Sequence, residues 1–186
     1  MAQSSILKSA SITNLDATPI VRPYVGQGAA GALRVVNDYV TSVSADDTGS
    51  RYRICRFPTT AKVKRVLFSS KVATAGSFDV SVAYSDSAND GTAAAFASQI
   101  TIGIPTTANK LFGSAVTFVG TGLNVDYTYS GTYTPPMANI TMWQNLVTLG
   151  CTDFAADPGG FFDIYMVCTT AVTTGGLIGC EVHYCE

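Results

Sequence analysis

Residues 78–84 read FDVSVAY: Phe78, Val80, Val82 and Tyr84 fall on one side of an extended chain, and Asp79, Ser81 and Ala83 on the other. Alternation of period two, bounded by turn residues, marks a strand with one face against a core. Segments of this kind recur at Ala32–Val43, Arg51–Phe57, Lys62–Ser69, Gln99–Ile104, Ala115–Val119, Asn124–Tyr129, Phe161–Thr169 and Leu177–Cys185. Turns separate them at Ser44–Gly49, at Asp157–Gly160 and at 173–176. Pro58 stops the second strand, and Thr59–Ala61 leads into the next as a hairpin or sheet corner with Tyr52, Ile54, Val66 and Phe68 inward. Helical signals are few: Thr141–Leu149, which carries the only tryptophan and ends at Gly150, and an Ala-rich stretch at 92–98. Eight to ten strands with long, irregular connections predict an all-β fold, a β-sandwich of jelly-roll type with one or two short helices.

Residues 1–31 have no helical periodicity and contain Pro19, Pro23 and a glycine cluster, so they read as an extended N-terminal arm before a sandwich domain at 32–186. No run approaches the roughly 18–20 apolar residues of a spanning helix. The start has only Ile6-Leu7 as apolar core, too short for a secretory signal, so synthesis in the cytoplasm without export by that route is expected.

Charge is segregated along the chain. Seven of eleven basic residues (Arg51, Arg53, Arg56, Lys62, Lys64, Arg65, Lys71) lie between 51 and 71 with no acid among them, whereas from 72 onward nine acids face Lys110 alone. Such a cluster could bind phosphates, pair with an acidic protein surface, or be a solvated edge. The acidic pI of about 5.2 argues against nucleic acid and leaves protein contact as the favoured reading. Charged residues make up 13 % of the chain, against about 25 % in typical soluble domains. The resulting Thr/Ser/Gly/Ala-rich surface suits contact with other protein.

Signs of chemistry are weak. Gly26-Gln-Gly28-Ala-Ala-Gly31 has the letters of a dinucleotide loop but follows prolines and precedes a strand, where that loop needs a helix. Asp86–Gly91 lacks the ligands of a calcium loop, with Ala88 third and Ala97 twelfth. The one histidine, His183, sits at an alternating strand position, and the carboxylates Asp153, Asp157 and Asp163 fall in a turn or at a strand start. The five cysteines (Cys55, Cys151, Cys168, Cys180, Cys185) form no Cys-x-x-Cys pair and read as buried thiols. In a strand, Cys180 faces away from His183 and Cys185, which discounts zinc. No enzymatic activity, cofactor or metal is expected.

The ordered series ITNLDATP, RYRICRFPTTAKVKRVLF, FDVSVAYSD, FASQI, WQNLVTLG and DPGGFFDIYMV followed by VHY resembles the small structural proteins that accompany the major capsid protein of tailed bacteriophages, the decoration or cement proteins. The cysteines near the end and the Thr-rich stretch at 105–135 depart from that pattern. The resemblance implies a sandwich on the capsid exterior of the virion, as dimers or trimers, binding the major capsid protein, with no nucleic acid or membrane partner. The expected contact residues are Ile12, Leu15, Pro19 and Tyr24 in the arm, and Arg51, Arg53, Arg56, Lys62 and Lys64 in the basic hairpin. Alternative roles are a tail or neck component, or a glycan-binding attachment module using Tyr127, Tyr129 and Tyr133.

Overall fold

The computed structural model describes residues 6–8, 12–13, 16–17, 33–70, 74–85, 110–118, 122–150 and 156–186. Leu15, Pro19, Tyr24, the 26–31 glycine motif, Lys71, the 86–104 segments, Cys151 and Asp153 lie outside the described residues. The strands are β1 (Ile6–Lys8), β2 (Arg34–Thr41), β3 (Arg51–Pro58), β4 (Lys62–Ser70), β5 (Thr74–Tyr84), β6 (Gly113–Phe118), β7 (Gly122–Asp126), β8 (Phe161–Thr174) and β9 (Leu177–Cys185). A 3-10 helix (Pro135–Asn139) and α1 (Met142–Thr148) lie between β7 and β8.

Two sheets form, in the orders β1-β3-β8-β5-β6 and β2-β9-β4-β7. They are called sheet 1 and sheet 2 below. Antiparallel pairs join β2 to β9, β3 to β8, β4 to β7 and β5 to β6. The chain is thus one long hairpin ribbon, running out through β2–β5 and back through β6–β9. Rolling that ribbon places alternate pairs in opposite sheets, and β4·β9 and β5·β8 contacts close each sheet. This is the wrapping of a jelly roll, so the chain is an all-β sandwich. β3 and β4 belong to different sheets, so the link at 59–61 is a sheet corner, and the basic segment is not a hairpin.

The core lies between the sheets. Strand β9 alternates perfectly, with Ile178, Cys180, Val182 and Tyr184 buried and the residues between them more exposed. Opposite it, sheet 1 supplies Tyr52, Phe78, Val80, Ile164 and Met166, all at 0 % exposure. Aromatic rings join the layers: Phe78 packs on Tyr52 and Phe118, and Phe118 on Phe68 of sheet 2, at centroid distances of 5.7, 5.3 and 5.4 Å. α1 shuts one end. Its N-terminal amides at Met142 and Trp143 donate to Ala61 O (2.8 Å) and Thr59 O (3.3 Å) at the corner, while Met142 and Leu146 enter the core. The Thr141 amide donates to Gln144 Oε1 (3.2 Å), closing a capping box.

On the outer side of sheet 1 the half-buried expectation for β5 needs correction. Ser81 and Ala83 are buried at 1 % and 2 %, together with Tyr165 of β8 at 2 %. Phe78→Ala is expected to lower the unfolding free energy by about 3–5 kcal/mol, read from the urea midpoint at unchanged slope.

Candidate assembly surfaces

The basic segment is largely consumed inside the molecule, and a backbone irregularity is the cause. Residues three apart on a regular strand face opposite sides. In β3, Arg53 pairs with Tyr165 but Arg56 pairs with Asp163, a shift of one residue. The bulge turns Arg53 and Arg56 to the same outer face, where both reach Asp163. Arg53 Nε donates to Asp163 Oδ2 (2.8 Å), as does its Nη2, while Arg56 Nε donates to Oδ1 (2.7 Å) and Nη2 to Oδ2 (3.0 Å). Arg56 Nη1 also donates to Asp16 Oδ1 (2.8 Å), and Asp16 Oδ2 accepts from Lys8 (3.0 Å). Burial opposes the charged form of Arg56, but bonds to Asp163 and Asp16 outweigh it and hold its pKa above the usual value.

Part of the arm therefore rests on the chain's own body. β1 pairs in parallel with β3, Ile12 is fully buried, and Asp16 joins the ion cluster. Arg53 and Asp163 are both 0 % exposed, so Arg53 belongs to the interior and not to a contact face. Ile12 is corrected in the same way.

The other basic residues disperse. Arg51 is half-buried beside the Tyr165 hydroxyl. Lys64 donates to Ala138 O and to Asn139 Oδ1 (3.2 Å), at the C-terminal end of the 3-10 helix. Such an end favours a cation. Arg65 pairs with Asp126 at 2.8 Å with both side chains about half exposed. Burial disfavours the Asp126 anion, yet hydrogen bonds from Thr128 and Arg65 prevail and lower its pKa. Lys62 is half-buried at the end of β4, opposite Cys185. The segregated charges of the sequence thus meet across the ribbon, β3 with β8 and β4 with β7.

The remaining candidates separate cleanly. Tyr133 is buried, its hydroxyl donating to Val63 O (2.7 Å), and Tyr127 packs on Phe68, which removes both from a sugar-stacking platform. Tyr129 is half exposed but stacks on Tyr133 at 6.1 Å. Cys55 is inserted against sheet 2, its thiol donating to Cys180 O (3.2 Å) and its pKa pushed well up, first by burial. His183 pairs with Glu181 on the outer face of β9. Among the described residues no group of three or more His, Cys, Asp or Glu could hold a metal ion, and no helix is long and apolar enough to cross a membrane.

Sequence reasoning passed over the surface along β2. This strand is at an edge of sheet 2, and among the described residues nothing pairs with its free side. Its outer row presents Val35 and Tyr39, with Leu33 and Val43 at its ends, exposed by 49 %, 54 %, 56 % and 50 %. The LRVVNDYV run gave its strand character, but only the sheet order could show that it is an edge.

No protein-family model matches this chain, and no curated protein matches it. Among solved structures, a chain of the cyanophage Pam1 capsid asymmetric unit is similar over 91 % of this chain and 96 % of that one, at 14 % identity and a TM-score of 0.36. At that TM-score the likeness establishes neither a shared fold nor a shared role.

Asp163→Asn leaves Arg53 buried without its carboxylate and Arg56 with Asp16 alone, and is expected to cost about 3–5 kcal/mol. Arg65→Ala, which opens an exposed pair, is expected to cost less than about 1 kcal/mol. Chemical denaturation of both variants checks the contrast. Asp126 has a lowered folded pKa, so its contribution is present above the unfolded pKa and lost as pH falls through the folded one. Arg65→Ala should therefore flatten the acid limb of the stability curve slightly, read by melting between pH 5 and pH 2.

Proposed function

We propose that this chain is a virion structural protein that binds the outer surface of a phage capsid and stabilises contacts between major capsid protein subunits. The observation that carries the reading is the edge at β2, whose free side nothing pairs with among the described residues. Its eight residues keep unbroken register with β9, without bulge, proline or lysine, and Arg34 and Asp38 are its only charged residues. Exposed, regular, apolar edges of this kind invite strand pairing, and stable proteins normally blunt or cover them. An edge that no described residue covers suits a molecule completed by neighbours, through strand addition and burial of Leu33, Val35 and Val43.

Two further features support the reading. The low charge of the chain, 13 % of its residues, favours protein contact over free solvation. The jelly-roll wrapping recurs in viral capsid and lectin domains, an analogy of fold alone. The role is non-catalytic: affinity comes from interface area repeated by the symmetry of the shell. Self-association as a dimer or trimer belongs to the same proposal.

The test is co-sedimentation of the purified protein with parent shells lacking it, before and after expansion. Saturable binding at a fixed ratio to the capsid subunit is expected. The double variant Leu33→Glu, Val35→Glu should bind about tenfold or more weakly while melting as the wild type, since both positions are half exposed. Failure to bind either form of the shell overturns the proposal.

A further inference from the structure

The outer face of sheet 2 holds a hollow of about 420 Å³, within the ordinary small-molecule range of roughly 300–1,000 Å³. Register explains its shape. On the outer row Tyr39 of β2 and Ser69 of β4 both pair with Gly179 of β9. Glycine leaves the middle of that row without a side chain. Strand spacing then sets the Tyr39 and Ser69 backbones roughly 10 Å apart. One row along, Asn37 and Leu67 both pair with Glu181, and on the other side Leu177 closes the hollow. A Cβ on Gly179 would come within 2.8 Å of Ser69 Oγ, so the Ser69 hydroxyl leans in over the glycine and forms one wall of the hollow.

The chemistry of the lining is mixed in a particular way. Tyr39 is 54 % exposed, and it makes no ring contact among the described residues. The Asn37 amide and the Ser69 hydroxyl make no hydrogen bond among the described residues, and His183 engages only one oxygen of Glu181. An uncovered aromatic ring, an amide, a carboxylate oxygen and a hydroxyl therefore surround one shallow, ring-sized space. An apolar ligand would leave those polar groups unanswered, an anionic one meets no cation within the lining, and the lining's two carboxylates, Asp38 and Glu181, already engage the Tyr39 amide and His183. A neutral pyranose satisfies both demands: its C–H face stacks on an aromatic ring, and its hydroxyls donate and accept at the rim.

We propose that this hollow binds one neutral hexose unit of a glycan, stacked on Tyr39 and hydrogen-bonded by Asn37, Glu181 and Ser69. The inference uses different groups from the capsid reading, although Tyr39 shares the outer row of β2 with Val35. The tyrosine that carries it, Tyr39, is not among the three suggested by the sequence.

Saturation-transfer NMR of the full chain against glucose, galactose and mannose, each at millimolar concentration, tests it. Transfer to at least one sugar is expected, with affinity falling about tenfold in Tyr39→Ala and measurably in Asn37→Ala. Both positions are exposed, so melting should be unchanged. No transfer to any of the three sugars, or transfer retained in Tyr39→Ala, overturns the proposal. Shell co-sedimentation of Tyr39→Ala separates its failure from that of the capsid role.

Discussion

Asp163 holds the exterior of sheet 1 together. It is fully buried and receives four hydrogen bonds from two guanidinium groups, one of which continues to Asp16 and thence to Lys8. Three cations and two anions in a water-poor place cost much desolvation, which only near-complete hydrogen bonding can offset. The one-residue bulge in β3 makes this possible, because without it Arg53 and Arg56 would lie on opposite faces. The same bulge lets Cys55 enter the interior against β9. The two sides of the strand are thereby coupled: one backbone irregularity serves the ion cluster outside and the core inside.

The ribbon topology gives the cluster its partners. In a jelly roll the outgoing strands are paired with the returning ones, so residues 107 or 110 positions apart become neighbours at Asp163. Charge that is segregated along the chain is neutralised across the sheet. The two exteriors then differ. Sheet 1 is closed at its centre by its ion cluster and by packed side chains, with part of the arm seated on it. Sheet 2 keeps apolar and neutral polar groups in solvent along β2 and over Gly179. Among the described residues, sheet 1 is thus the covered face and sheet 2 the more open one.

Much of the fold was legible in the sequence. FDVSVAY, the alternation of β9 and the corner at Pro58 gave strands whose buried sides were right for Tyr52, Ile54, Val66 and Phe68. The α1 helix was readable from its short apolar pattern and its glycine stop. Less legible were the outer sides of the strands. Ser81, Ala83 and Arg53 look solvent-facing in any period-two reading, yet all three are buried, Arg53 by its bonds to Asp163 and Ala83 beside Tyr165 and Val167. Lys64 looked like a contact residue, and it is engaged by carbonyl and amide oxygens some 75 residues away.

The sequence by itself determined which residues could form strands, which side of β5 and β9 was apolar, and that the charge total was low. These properties are local, set by alternation and composition. Tertiary structure alone decided which strands are edges, where the bulge falls, and which charges meet. Those depend on pairing between residues far apart in the chain, and a single-residue shift in that pairing moves every side chain beyond it to the other face. Arg53 departs from its expected role for that reason: read as a contact residue, it is locked inside.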